Sequence, residues 1–130
     1  MQGIETEIKK YLKERGWDRL HPSDIAKSIS IEAAELLELF QWTSLDIEET
    51  KMDSEKMEYI KKELADVLIY ALDMAVLLEL DTERIILDKL ELVKKKYPPK
   101  YIQKEVQDIN DLADNPFLDT KKLAVPTQNS

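Results

Sequence analysis

Two pairs of acids carry the most chemical information in this sequence: Glu32-x-x-Glu35 and Glu63-x-x-Asp66. Residues three apart on a helix are surface neighbours, so each pair can aim both carboxylates at one point. Two such pairs on facing antiparallel helices would place four carboxylates around one small volume. Like charges that close do not stay ionised without compensation. A hard divalent cation supplies it. All-oxygen ligation suits Mg²⁺ or Mn²⁺, and Mg²⁺ usually keeps waters or takes phosphate oxygens as its remaining ligands. A di-iron carboxylate bundle needs Glu-x-x-His pairs, and the only histidine, His21, lies outside both acid pairs.

Stepping the segment around Glu63 at about 100° per residue puts Glu63, Asp66, Tyr70 and Asp73 on one narrow stripe. The stretch from Leu64 to Leu80 is apolar nearly all round, which predicts a central, buried helix. A lone carboxylate there is costly and pairs, binds a metal or shifts its pKa. Asp73 can equally be the structural partner of a lysine or a cap. The bland alternative for Glu32 and Glu35 is a solvated acidic face, since acids are frequent here and Glu38 continues the same series.

The elements that must position these groups are helices. The chain has two glycines and five prolines in 130 residues, and none of either between Ser23 and Tyr97. A β protein needs tight turns, which usually recruit such residues, so the fold class is all-α. Four helices are expected, as a four-helix bundle: about 5–15, stopping near Gly16; 23–42, with Ser23 as N-cap; 54–80; and 82–97, capped by Asp81 or Thr82 and ended by Tyr97-Pro98-Pro99. Residues 43–53 read as a loop with room for one turn of helix. A helical domain over 1–107 is followed by an extended tail over 108–130.

The charge balance narrows the function. With 27 acidic and 19 basic residues, net −8, the chain does not suit duplex nucleic acid, which needs a basic face. The absence of cysteine excludes disulfides and thiolate metal sites. The first residues show no basic-then-apolar signal pattern, and the 64–80 stretch is short for a membrane span and carries Asp66 and Asp73. A cytoplasmic setting without membrane contact is the expectation. Trp17 and Trp42 each lie near a helix end, where an indole can stack on a base or simply pack. Lys89 and the Lys94–Lys96 run can meet phosphate oxygens as point charges. The alternative for that run is a cationic helix end favoured by the dipole.

Taken together, Glu32-x-x-Glu35, 27 intervening residues and Glu63-x-x-Asp66 resemble the signature of the MazG-like all-α nucleoside triphosphate pyrophosphohydrolases, in particular their compact dCTP pyrophosphatase-like branch. The order Arg15-Gly16-Trp17, His21, Glu32-Ala33-Ala34-Glu35-Leu36, Leu39-Phe40-Gln41-Trp42, Glu63-Leu64-Ala65-Asp66-Val67-Leu68-Ile69-Tyr70 and Lys94-Lys95-Lys96-Tyr97-Pro98 is similar to that branch over residues 5–100. The resemblance implies hydrolysis of a (d)NTP to the monophosphate and pyrophosphate with Mg²⁺. It implies Glu32, Glu35, Glu63 and Asp66 as metal ligands, and Trp17, His21, Trp42 and Tyr70 in the nucleotide pocket, with Lys89 and Lys96 available for phosphate. Glu35 or Glu38 is the expected general base. Val93 stands where the family often has asparagine, and Ile8 where its dCTP-preferring branch has histidine, so cytosine preference is not implied. A homodimer or homotetramer is expected from the apolar third helix. The alternative function is a non-catalytic helical oligomerisation or interaction module with acidic faces.

Overall fold

The computed structural model of the protein describes residues 2–99. Among these residues there are five helices: α1 (Gln2–Glu14), α2 (Pro22–Glu38), α3 (Ile47–Met52), α4 (Ser54–Leu77) and α5 (Thr82–Lys96). No strand occurs among the described residues. Residues up to Ile85 form one compact unit and Ile86 begins a second. The tail read over 108–130 lies outside the described residues.

Within the first unit α4 is the common partner, packing against α2, α1 and α3. Its core is small. Ile8 and Leu12 of α1 meet Leu72 of α4, with Val76 and Leu77 against them, and Ile25 of α2 is also buried.

Four of the five helices are the expected ones, and their ends differ for local reasons. α2 starts at Pro22, not after a Ser23 cap: His21 is the N-cap, without a side-chain cap bond, and Pro22 is the first helical residue. Proline suits that position because its fixed φ is already helical and its missing N–H would be unpaired anyway. α2 ends at Glu38 rather than Trp42. There the Leu39 and Phe40 amides donate to the Leu36 and Leu37 carbonyls (3.2 and 2.9 Å), tightening the last turn out of α geometry. The 43–53 loop holds α3, started by a capping box: Glu49 N–H donates to Asp46 Oδ1 at 2.8 Å while the Glu49 side chain accepts from Asp46 N–H. Asp53 then caps α4, and Asp81 caps α5 through Arg84 N–H.

α1 and α4 end in the same way. Gly16 N–H donates to Lys13 O and Trp17 N–H to Leu12 O; Glu79 N–H donates to Val76 O and Leu80 N–H to Ala75 O. These pairs form the Schellman pattern, which needs a left-handed residue after the helix. Gly16 (φ 69°) takes it without a Cβ clash, whereas Glu79 (φ 55°) takes it with one. α4 therefore stops at Leu77, three residues short of the expected Leu80. Nor is it buried all round within this chain: of its residues only Leu72, Asp73 and Ala75 are buried, and Leu64, Leu68 and Ile69 are exposed. Hydropathy marks a surface that is apolar, not one that the same chain covers.

Candidate functional site

Helix packing brings α2 and α4 together with their acid pairs facing. Carboxylate oxygens of Glu32, Glu35, Glu63 and Asp66 all lie within 4.8 Å of one another. Glu32, Glu63 and Asp66 are partly buried, and Glu35 is exposed. The electrostatic result is strain of like charges. Burial, a hydrogen bond shared with Glu35 and the charges of Glu35, Asp66 and Glu63 hold Glu32 above the ordinary carboxylate range. Burial raises Glu63 in the same way, with Glu35, Asp66 and Glu38 adding to it. Glu32 Oε2 and Glu63 Oε2 are buried and have no hydrogen-bond partner. Orphaned acceptor oxygens on members of a like-charged cluster are the inverse of a stable polar network and fit a cation, so these residues can hold a metal ion.

Beside the cluster lies a cavity of about 380 Å³, lined by residues of α1, α2, α4 and the α1–α2 connector. Asp66 lines it, so cluster and cavity adjoin. Trp17 and Tyr70 line it as well, two of the residues expected at the nucleotide. The Schellman turn at Gly16 sets Trp17, whose indole meets the Tyr11 ring edge-on at 5.8 Å between centroids. The Arg15 guanidinium lies over the same Tyr11 ring, 4.0 Å from its centroid. Trp17 is 45% exposed, leaving it free surface on which to stack.

The remaining expected residues are placed differently. His21 is the N-cap of α2 and is exposed. Trp42, on the turn after α2, is 87% exposed. Neither lines the cavity. Glu38, the last residue of α2, is exposed, yet its charge is felt at Glu63. Lys89 and Lys96 are exposed residues of α5 in the second unit.

The profile of the MazG-like family matches residues 27–112. The chain belongs to the MazG-like family. dCTP pyrophosphatase 1 of Rattus norvegicus is 33% identical over 92 residues, 68% of this chain and 54% of the rat protein. Its counterpart in Homo sapiens is 30% identical over 91 residues, with the same shares. This MazG-like chain thus spans about half the length of the curated relatives it matches. The crystal structure of a pyrophosphatase from Archaeoglobus fulgidus has 37% sequence identity and a TM-score of 0.65, covering 75% of this chain and 92% of that one.

One residue of the cavity was not read from the sequence. Tyr11 lines the cavity and braces Trp17; its position one turn before the α1 terminus was the available signal. Asp73 lines the same cavity and is 4% exposed. Among the described residues its Oδ1 has no hydrogen-bond partner, neither a lysine nor a backbone N–H.

No helix among the described residues is long and apolar enough to cross a membrane.

Proposed function

We propose that the chain is a metal-dependent nucleoside triphosphate pyrophosphohydrolase, converting (d)NTP and water to (d)NMP and pyrophosphate in cytoplasmic nucleotide-pool housecleaning. One observation carries the reading: four carboxylates from two helices converge, with orphaned oxygens, and one of them, Asp66, lines a cavity shared with Trp17 and Tyr70. The names of the relatives, dCTP pyrophosphatase 1 and a pyrophosphatase, support it.

Glu32, Glu35, Glu63 and Asp66 would hold Mg²⁺, or Mn²⁺ in its place. Bound there, the ion would neutralise phosphate oxygens and acidify a water. The chain's own residues do the rest. Trp17 and Tyr70 bind and orient the base and sugar, excluding water from one side of the nucleotide. Glu35 or Glu38 takes the proton of the attacking water, while its oxygen bonds to phosphorus and the phosphoanhydride bond to the leaving pyrophosphate breaks. Lys89 and Lys96 offer exposed ammonium groups to phosphate oxygens, His21 and Trp42 exposed rings to the nucleotide. The exposed apolar residues of α4, with an apolar groove between Ile4, Ile8, Tyr11 and Ile69, support a homodimer or homotetramer.

The test is pyrophosphate release from a panel of nucleotides with Mg²⁺ and with EDTA, alongside thermal shift. Release that needs Mg²⁺ and disappears in Asp66→Asn, with helical circular dichroism unchanged, is the expected result. No release and no nucleotide-dependent shift would instead favour a non-catalytic helical module.

A further inference from the structure

Asp73 stands apart from the cluster on the same helix. Seven residues separate it from Asp66, so it lies on nearly the same face, about 10 Å further along the helix axis. Both line the one cavity. Around Asp73 the helix is apolar and buried at Leu72 and Ala75, and Leu12 of α1, which lines the cavity too, is 1% exposed. Asp73 itself is 4% exposed with Oδ1 unpartnered. A buried acceptor left unmade costs more than an apolar side chain of similar size would. Among the described residues no cation is paired with Asp73 and no backbone N–H bonds to Oδ1. The cavity that Asp73 lines gives a partner a way to reach it.

The distances fit a nucleotide. With phosphates at the Asp66 end, about 10 Å of helix spans the reach of one nucleoside from its 5′ oxygen to the far edge of its base. Trp17 and Tyr70 lie along the same cavity, as aromatic surfaces for that base. At its far edge a base presents either an exocyclic amine or a carbonyl oxygen. An ionised carboxylate only accepts hydrogen bonds, so it complements the amine and opposes the carbonyl.

We propose that Asp73 is the base-reading residue of this pocket, accepting a hydrogen bond from the exocyclic amine of an amino-bearing nucleobase and selecting it over the oxo-base. This rests on the pyrophosphohydrolase reading and deepens it.

dCTP and dUTP differ at one ring position, amine against carbonyl, and serve as the probe pair. Pyrophosphate release should favour dCTP over dUTP by on the order of 100-fold or more in kcat/KM, as for sites built to bond a substrate N–H. Asp73→Leu should bring the two within about threefold, mainly by losing dCTP. Asp73→Asn, whose amide can rotate to donate, should raise turnover of dUTP. Binding of dCMP and dUMP, followed by tryptophan fluorescence, reads the same preference without catalysis. Selective binding of dCMP that Asp73→Leu abolishes, with no hydrolysis of any nucleotide, would uphold Asp73 and sink the activity. Equal binding of both nucleotides, binding of neither, or equal losses on both in the two variants would overturn the proposal. Melting temperature controls for folding, and both variants should melt at or above the parent.

Discussion

α4 carries two kinds of strained carboxylate, two turns apart. Glu63 and Asp66 meet Glu32 and Glu35 of α2 in a like-charged cluster, while Asp73 sits alone among apolar neighbours. Glu63 and Asp73 are both pushed above the ordinary carboxylate range, and burial is the first cause in each. Their surroundings differ beyond that. At Glu63 neighbouring negative charges add to burial; at Asp73 burial acts alone. A cation relieves the first and not the second. A raised carboxyl pKa therefore does not identify a metal site; the company the group keeps does.

The contrast can be broken in several ways. The largest effect should come from Glu63→Gln or Asp66→Asn. Each removes a proposed ligand oxygen worth several kcal/mol of charge stabilisation, so kcat/KM should fall about 10³-fold and Mg²⁺ should lose its thermal shift. The folded state without metal should gain stability from the relieved repulsion.

Next is stability at Asp73. Asp73→Leu should raise unfolding free energy by about 1–3 kcal/mol in urea melts, because an unpaired buried acceptor is removed. A fall would mean that Asp73 has a partner.

The third test uses pH. A carboxyl raised in the folded state binds more protons there than in the unfolded chain, between its ordinary and its raised pKa. Stability without metal should therefore be greatest at the acid side of that window and fall as pH climbs through it. With saturating Mg²⁺ the Glu32 and Glu63 contributions to that fall should vanish, while that of Asp73 persists until Asp73→Asn removes the carboxyl. Chemical melts at several pH values, with and without Mg²⁺, read this directly. If Mg²⁺ cancels the whole slope, the two sites are not distinct.

The smallest effect belongs to the frame. Glu79→Gly should stabilise by about 1 kcal/mol by relieving the left-handed backbone, and Gly16→Ala should cost about as much. Only the second should lower affinity for nucleotide, since Trp17 follows Gly16 directly.

The acid cluster was legible because helix periodicity fixes which side chains share a face: the i,i+3 spacings at 32/35 and 63/66 needed only that the two helices touch. The helices themselves followed from the breaker-free run. What escaped depended on capping and on tertiary cover. Pro22 looked like a barrier before α2 and is its first residue. Asp46-x-x-Glu49 was a capping signature inside what read as loop. Trp42 was extended into a helix that ends four residues earlier, which leaves its indole on an open turn. The burial of α4 was overestimated because a single sequence gives the hydropathy of a face and not its neighbour. Asp73 was read onto one stripe with Glu63, Asp66 and Tyr70, yet only the cavity shows that it shares space with Trp17 and Tyr70.

A single uninterrupted helix, Ser54–Leu77, bears both carboxylate sites, and this constrains the sequence's evolution. One residue inserted between Asp66 and Asp73 would turn everything beyond it by about 100° and shift it by about 1.5 Å, moving one site out of the shared cavity. Length variation among descendants of this chain should therefore collect in the connectors at 15–21 and 39–46, while the eight positions from 66 to 73 keep their number.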